Sequence, residues 1–278
     1  MTIKKINSLS DFFNLLINTN VMRGEFCFRG HANCEWRLEP SLFRGRPKEE
    51  IVQLQTASFR PLLTNPGSIP YIQSLDPVAY LMTLQHFGIP TTLLDVSLDP
   101  LVALFFSCYD PRKENINSDA MFYTFPLDGY DKVKMDIPPL DVFRKKMDKK
   151  EIQEEFPKRI FIDYHQFLEP LFKNPRMRSQ DGAFFMFSTS TLPDKPEKCL
   201  SLDEFLGVKN QWLEHQGVEH KMWFGNILIE KSAKTRILNE LDREYNINED
   251  SLLNHNDYVS DTSDFFLKLK STLHDSFK

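Results

Sequence analysis

Apolar and polar positions alternate along the chain with two periods. At helical spacing, Leu9, Phe12, Phe13, Leu16 and Ile17 predict a helix over 8–20, which Ser8 can cap. At a period of two, Glu25-Phe26-Cys27-Phe28-Arg29 predicts a short strand with Phe26 and Phe28 on one face and Cys27 and Arg29 on the other. A helix is expected over 48–60. Two Asp-Pro pairs then open two more. Asp76 can cap and Pro77 begin a helix to about Phe87, which Gly88 and Pro90 stop, and Asp99 and Pro100 start LVALFFSCY, apolar nearly all round and therefore buried. Thr92 to Val96, Asp119 to Phe125, Ile160 to Ile162, Ala183 to Phe187 and Asn226 to Ile229 read as strands. Residues 202–214, 231–245 and 262–273 read as helices.

Short strands irregularly interleaved with helices favour an α+β fold over a doubly wound parallel sheet. The expectation is one domain over 1–278 with mixed and antiparallel strands, its core at about 20–270. The polar stretch 127–157, helical near 141–155, is expected to be a charged surface excursion. Composition changes this picture little. Of 278 residues 41% are apolar and 26% charged, as in an ordinary globular chain. Phe is abundant at 24 and Gly scarce at 10, which suits a thick aromatic core and excludes a glycine-rich repeat.

Charge and cysteine narrow the function classes. With 34 basic and 39 acidic residues the net charge is −5, so charge does not indicate a nucleic-acid or membrane partner. No apolar run reaches the ~20 residues that span a bilayer. The first residues carry no apolar core of a secretory signal, and four cysteines do not make a disulfide framework. A reducing, cytoplasmic location is expected.

Three segments could carry chemistry. In Phe28-Arg29-Gly30-His31 an Arg ends a strand beside a Gly. Its planar fork can hold a phosphate or carboxylate while Gly30 lets a ligand approach the backbone, or it can pair with an internal carboxylate such as Asp95. In the second segment, Gln85 falls on the apolar stripe of its helix, His86 ends that helix, and Asp95 and Ser97 share a strand face with Leu93. Thr91 lies between them. These residues form either a ligand site or a network that only specifies packing. In the third, Asn174-Pro175-Arg176-Met177-Arg178-Ser179-Gln180 precedes Gly182-Ala183-Phe184, with two Arg side chains for an anion or for solvent. Cys27, His31 and Cys34 lack a convincing fourth ligand, so no metal is expected.

Together the three segments resemble the FRG domain, a bacterial family named for its Phe-Arg-Gly triplet. Phe28-Arg29-Gly30 stands at the triplet, and Trp36-Arg37-Leu38-Glu39-Pro40-Ser41-Leu42-Phe43-Arg44 resembles the W-x-L-x-P-S-x-x-R element after it. Leu84 to Pro90, Thr91, Leu93, Leu94, Asp95 and Pro100 to Ser107 are similar to the long middle signature. Asn174, Pro175, Arg176, Gln180, Gly182 and Phe184 match a late element, and Lys234 to Leu241 resembles the terminal helix. Thr92 stands where the family usually has Arg, and Val96 where it usually has Trp.

A more distant likeness, in motif order and residue type, is to ADP-ribosyltransferases. It implies an ADP-ribosyltransferase-like core and NAD as co-substrate. Arg29, Gln180 and Asp95 are then the catalytic candidates, with Asp181 as a substitute for Gln180. Gly30, His31, Gln85, His86, Thr91, Ser97, Arg176 and Arg178 would bind the nucleotide. The implied role is a transferase or NAD-hydrolysing effector, a bacterial toxin or phage-defence component with a protein target or activator. The alternative is a non-catalytic module that binds a nucleotide, a nucleic-acid end or a protein.

Overall fold

The computed structural model describes residues 4–18, 21, 26–64, 77–127, 131–132, 159–163, 174–187, 226–253 and 263–276. The strands are β1 (Lys4–Ile6), β2 (Phe26–His31), β3 (Leu93–Ser97), β4 (Ala120–Pro126), β5 (Asp131–Lys132), β6 (Arg159–Asp163), β7 (Gly182–Phe187) and β8 (Asn226–Ile229). The helices are α1 (Leu9–Asn18), α2 (Lys48–Thr64), α3 (Pro77–His86), α4 (Pro100–Cys108), α5 (Pro175–Ser179), α6 (Lys231–Tyr245), α7 (Glu249–Leu253) and α8 (Ser263–Ser276). This is the α+β class the patterning predicts.

The helix starts follow from local chemistry. At α1 the Ser8 hydroxyl accepts from the Asp11 N–H at 3.1 Å, while the Asp11 carboxylate accepts from the Asn7 N–H at 3.0 Å. These bonds satisfy amides that the first turn leaves without helical partners. At α4 the Asp99 carboxylate accepts from the Leu101 N–H at 2.7 Å, with Pro100 behind it. Asp76 lies outside the described residues. Gly88 takes φ 69°, the left-handed turn that ends α3.

All eight strands join one mixed sheet in the order β1-β8-β4-β2-β3-β7-β6-β5. β1 with β8 and β5 with β6 are parallel; the other pairs are antiparallel. One face carries a single core, including Cys27, Tyr123 and Phe125, Leu94 and Val96, Phe185 and Phe187, covered by Leu38, Leu42, Phe43, Ile51 and Leu54. The other face carries two. Under α1, α4 and α6 lie Phe28, Phe122, Ile227 and Ile229. Under α2, α3 and α8 lie Leu93, Ile162 and Phe184.

The division between those two cores follows a seam in the sheet. β2 pairs with β4 over six residues, but with β3 only at Phe28 and Ser97. Continuing that register would set Gly30 opposite Asp95; the ladder stops before reaching them.

Several elements differ from the sequence reading. β1 and β5, of three and two residues, are too short to show a period. β5 also places residues 131–132 in the sheet, within the stretch expected to be a surface excursion; 133–158 lie outside the described residues, as does the helix expected over 202–214. Residues 174–180, for which the pattern predicts no element, contain α5.

Candidate functional site

A cavity of about 370 Å³ lies over the seam, between the two helical cores. Phe28, Val102 and Ala103 wall it on one side, Met82, Met177 and Phe184 on the other. Arg29 and Asp95 line it at the seam, and Trp36, Phe106 and Tyr109 add aromatic surface.

Arg29 holds the seam together. Its side chain, only 14% exposed, bridges to β3, where Nη1 donates to the Asp95 main-chain carbonyl. A side chain thus takes the place of a missing ladder bond. Nε donates to His31 Nε2 at 2.9 Å, and Nη1 lies 3.9 Å from the Asp95 carboxylate. His31 must be neutral to accept that bond. Burial first, then the Arg29 charge, holds its imidazole well below the ordinary histidine range. Its ring packs edge-on against Tyr123, with centroids 5.0 Å apart.

The Asp95 carboxylate is 58% exposed, which corrects the expectation of a buried acid in an apolar strand. Period two puts Leu93, Asp95 and Ser97 on one face, where Leu93 is buried in the core while Asp95 and Ser97 line the cavity, and the early end of the β2–β3 ladder lets solvent reach Asp95. Gln85 Nε2 donates to Asp95 Oδ1 at 2.6 Å, and Thr91 Oγ1 donates to Gln85 Oε1. Gln85 is thereby fixed as a donor toward the carboxylate.

Gly30, in the cavity lining, also meets a packing constraint. A Cβ there would stand 2.2 Å from the Ala103 carbonyl and 2.3 Å from the Ser107 N–H, both main chain of α4. The glycine admits the helix against the strand. Across the cavity, the Ser97 hydroxyl donates to the Gln180 carbonyl at 2.7 Å, tying the end of β3 to the turn before β7. Gln180 Nε2 donates to the Leu252 carbonyl of α7 at 3.0 Å, which leaves Oε1 as an acceptor. Asn174 caps α5, accepting from the Met177 N–H at 3.1 Å.

The structure therefore brings Arg29, Gly30, Gln85, His86, Asp95, Ser97, Arg176 and Gln180 to one cavity. It does not bring His31, Thr91 or Arg178 to the cavity wall. His31 and Thr91 are buried behind it, each supporting a residue that lines it. Arg178 is exposed on α5, two residues from Arg176 and so on another side of the helix. Asp181 adopts φ 45° in the turn before β7 and is not in the lining, so it does not substitute for Gln180.

Residues 24–116 match the FRG domain family model. The chain carries an FRG domain. No curated protein and no solved structure gives a significant match. The matched FRG residues run from β2 past α4, and so include both sides of the seam. Asn174, Arg176, Met177, Gln180 and Phe184 complete the cavity from outside the match. Thr92, where the FRG pattern has Arg, is buried and outside the cavity lining.

Sequence reasoning missed several wall residues of this cavity. Trp36, 46% exposed, sits within an element already noted, and its exposure is a property of the fold. Tyr109 and Asp110 follow α4. Burial pushes the Tyr109 phenol up to about 12, with a hydrogen bond to Glu249 acting the same way. At Asp110 burial raises the carboxyl, but bonds from the Asn115 N–H at 2.8 Å, the Asn115 amide at 2.9 Å and the Arg112 N–H at 3.1 Å outweigh it and hold it below the ordinary range. Asp110 stands in an Asp-Pro pair to which the sequence pattern assigns no role. Among the described residues no group of three His, Cys, Asp or Glu could hold a metal ion, and no helix is long and apolar enough to cross a membrane.

Proposed function

We propose that this cavity binds NAD and breaks its nicotinamide–ribose bond, passing ADP-ribose to water or to a side chain of a target protein. The observation that carries the reading is the convergence of Arg29, Asp95 and Gln180, distant in sequence, on one aromatic-walled cavity. Its volume lies within the usual ~300–1,000 Å³ of small-molecule sites. As the ribose C1′–nitrogen bond breaks, its electron pair goes to the ring nitrogen and neutral nicotinamide leaves. Positive charge then builds on the ribose. The Asp95 carboxylate, aimed by Gln85, stabilises that charge and takes the proton of the incoming hydroxyl or water. Arg29 offers a charged fork to phosphate, Trp36, Phe106 and Tyr109 offer stacking surface, and Gln180 Oε1 can accept from a ribose hydroxyl. Such an activity fits a cytoplasmic bacterial effector, a toxin or a phage-defence component, acting on NAD or on a protein target.

The test is chromatographic. Wild type, Arg29→Ala and Asp95→Asn are incubated with labelled NAD, alone and with cell lysate as a source of target and activator. Release of nicotinamide by wild type, lost in both variants, is expected. Wild type that neither binds nor consumes NAD in either condition ends the reading. A second reading, a nucleotide-binding module without turnover, is favoured by one feature. An amide stands at position 180, its nitrogen already held by Leu252; an amide stabilises a cationic centre less than a carboxylate would. A melting temperature raised by NAD or ADP-ribose without nicotinamide release would select it.

A further inference from the structure

A second, smaller cavity of about 230 Å³ opens at the same seam. Arg29, Gln85 and Asp95 line it as they line the first, joined by Glu39, Ser41 and Arg44. The loop carrying Glu39, Ser41 and Arg44 is docked by main-chain geometry. The Leu42 N–H donates to the Thr91 carbonyl at 3.1 Å, and the Ser41 hydroxyl accepts from the Thr91 N–H at 3.1 Å. The cavity wall is therefore built before any ligand arrives.

The charges in it are unequally committed. The Asp95 carboxylate has Gln85 and Arg29, and Glu39 lies 3.9 Å from Arg37. Arg29 uses Nε and Nη1, and its Nη2 has no protein partner among the described residues. Arg44 is exposed and makes no ion pair among the described residues. Two guanidinium groups thus face one space with donors to offer. Burial first, and then the Arg44 charge against the opposing pull of Asp95, lowers the Arg29 guanidinium, and an anion entering between the two guanidinium groups would relieve that repulsion.

We propose that the small cavity is a diphosphate subsite, in which Arg44 and Arg29 Nη2 hold the phosphates of a ligand whose nucleoside end occupies the large cavity. Arg29, common to both cavities, would grip the ligand at its middle. The inference rests on the nucleotide reading only for what fills the large cavity. Arg44 is a binding residue here and takes no part in bond cleavage.

The experiment is calorimetric titration of inorganic pyrophosphate into wild type, Arg44→Ala and Arg44→Glu, at low and at physiological salt. Arg44 is exposed, so both variants are expected to melt like wild type. Affinity should fall about tenfold in Arg44→Ala, the size of effect expected for a charge-assisted pair, and further in Arg44→Glu. The wild-type affinity should weaken with salt. No binding of pyrophosphate to wild type at millimolar concentration, or equal affinity in all three proteins, overturns the subsite. The two proposals fail separately. NAD consumption with an unchanged KM in Arg44→Ala removes the subsite and leaves the activity. Arg44-dependent pyrophosphate binding without NAD consumption removes the activity and leaves the subsite.

Discussion

Gly30 and Arg29 are neighbours with opposite tolerances. A methyl group at position 30 meets the main chain of α4 at 2.2 and 2.3 Å, and main chain in a packed helix cannot step aside. Gly30→Ala should cost about 3 kcal/mol or more, or give no soluble protein, as read from the urea midpoint. Arg29→Ala is milder for the fold. Had Asp95 been buried, removing its partner would cost about 2–4 kcal/mol. At 58% exposure the carboxylate keeps its water, and what is lost is the seam bond to the Asp95 carbonyl and the donor to a buried His31 Nε2. We expect about 1–2 kcal/mol by urea denaturation, with NAD turnover abolished. His31 supplies a pH signature. Its folded value is depressed, whereas the unfolded chain has the ordinary ~6.5, so its contribution is complete above pH 6.5. Below that, the unfolded state gains a proton that the folded state refuses. Stability should fall by about 1.4 kcal/mol per pH unit until the folded value is reached. Denaturant titrations at pH 7, 6 and 5 should show this slope in wild type and a shallower one in His31→Gln.

Among the elements, those with both a start signal and a full period were legible. α4 shows why: Asp99-Pro100 fixes its first turn and the apolar run behind it is long enough to be buried on all sides. Asp99→Ala should cost about 1 kcal/mol in thermal or urea melts, the usual loss for an N-cap oxygen. Asn174-Pro175 is the same signal, but α5 has only five residues and no period to confirm it, so the pattern predicts no helix there. β1 and β5 owe their conformation to the strands they pair with, and nothing in two or three residues records a partner far along the chain. The strands of the sheet centre were legible because period two sorts their side chains between faces, as at Leu93 and Leu94.

At the scale of the whole molecule, the site is a consequence of where the sheet fails to close. The residue types at positions 29, 85, 95 and 180 could be read as candidates, since each polar group stands among apolar neighbours. That β2 and β3 share one register pair could not, because pairing depends on how the two helical cores pack apart on one face. A ligand lying across the seam should tie the two halves together. Hydrogen exchange with and without NAD is expected to show added protection at residues 28–31 and 93–97 above that elsewhere in the sheet; equal protection throughout would place the ligand off the seam.

Main-chain ladders are indifferent to most substitutions, because every residue but proline can supply them. The join between β2 and β3 lacks that indifference: at Asp95 it is made by the guanidinium of Arg29. Selection acting on the ligand and selection acting on the fold therefore fall on one position. A lineage changing its substrate could not freely redesign the floor of its own cavity. The accessible route to new specificity runs through the walls, at Trp36, Phe106 and Tyr109, where exchange of one aromatic surface for another leaves the two halves of the sheet joined.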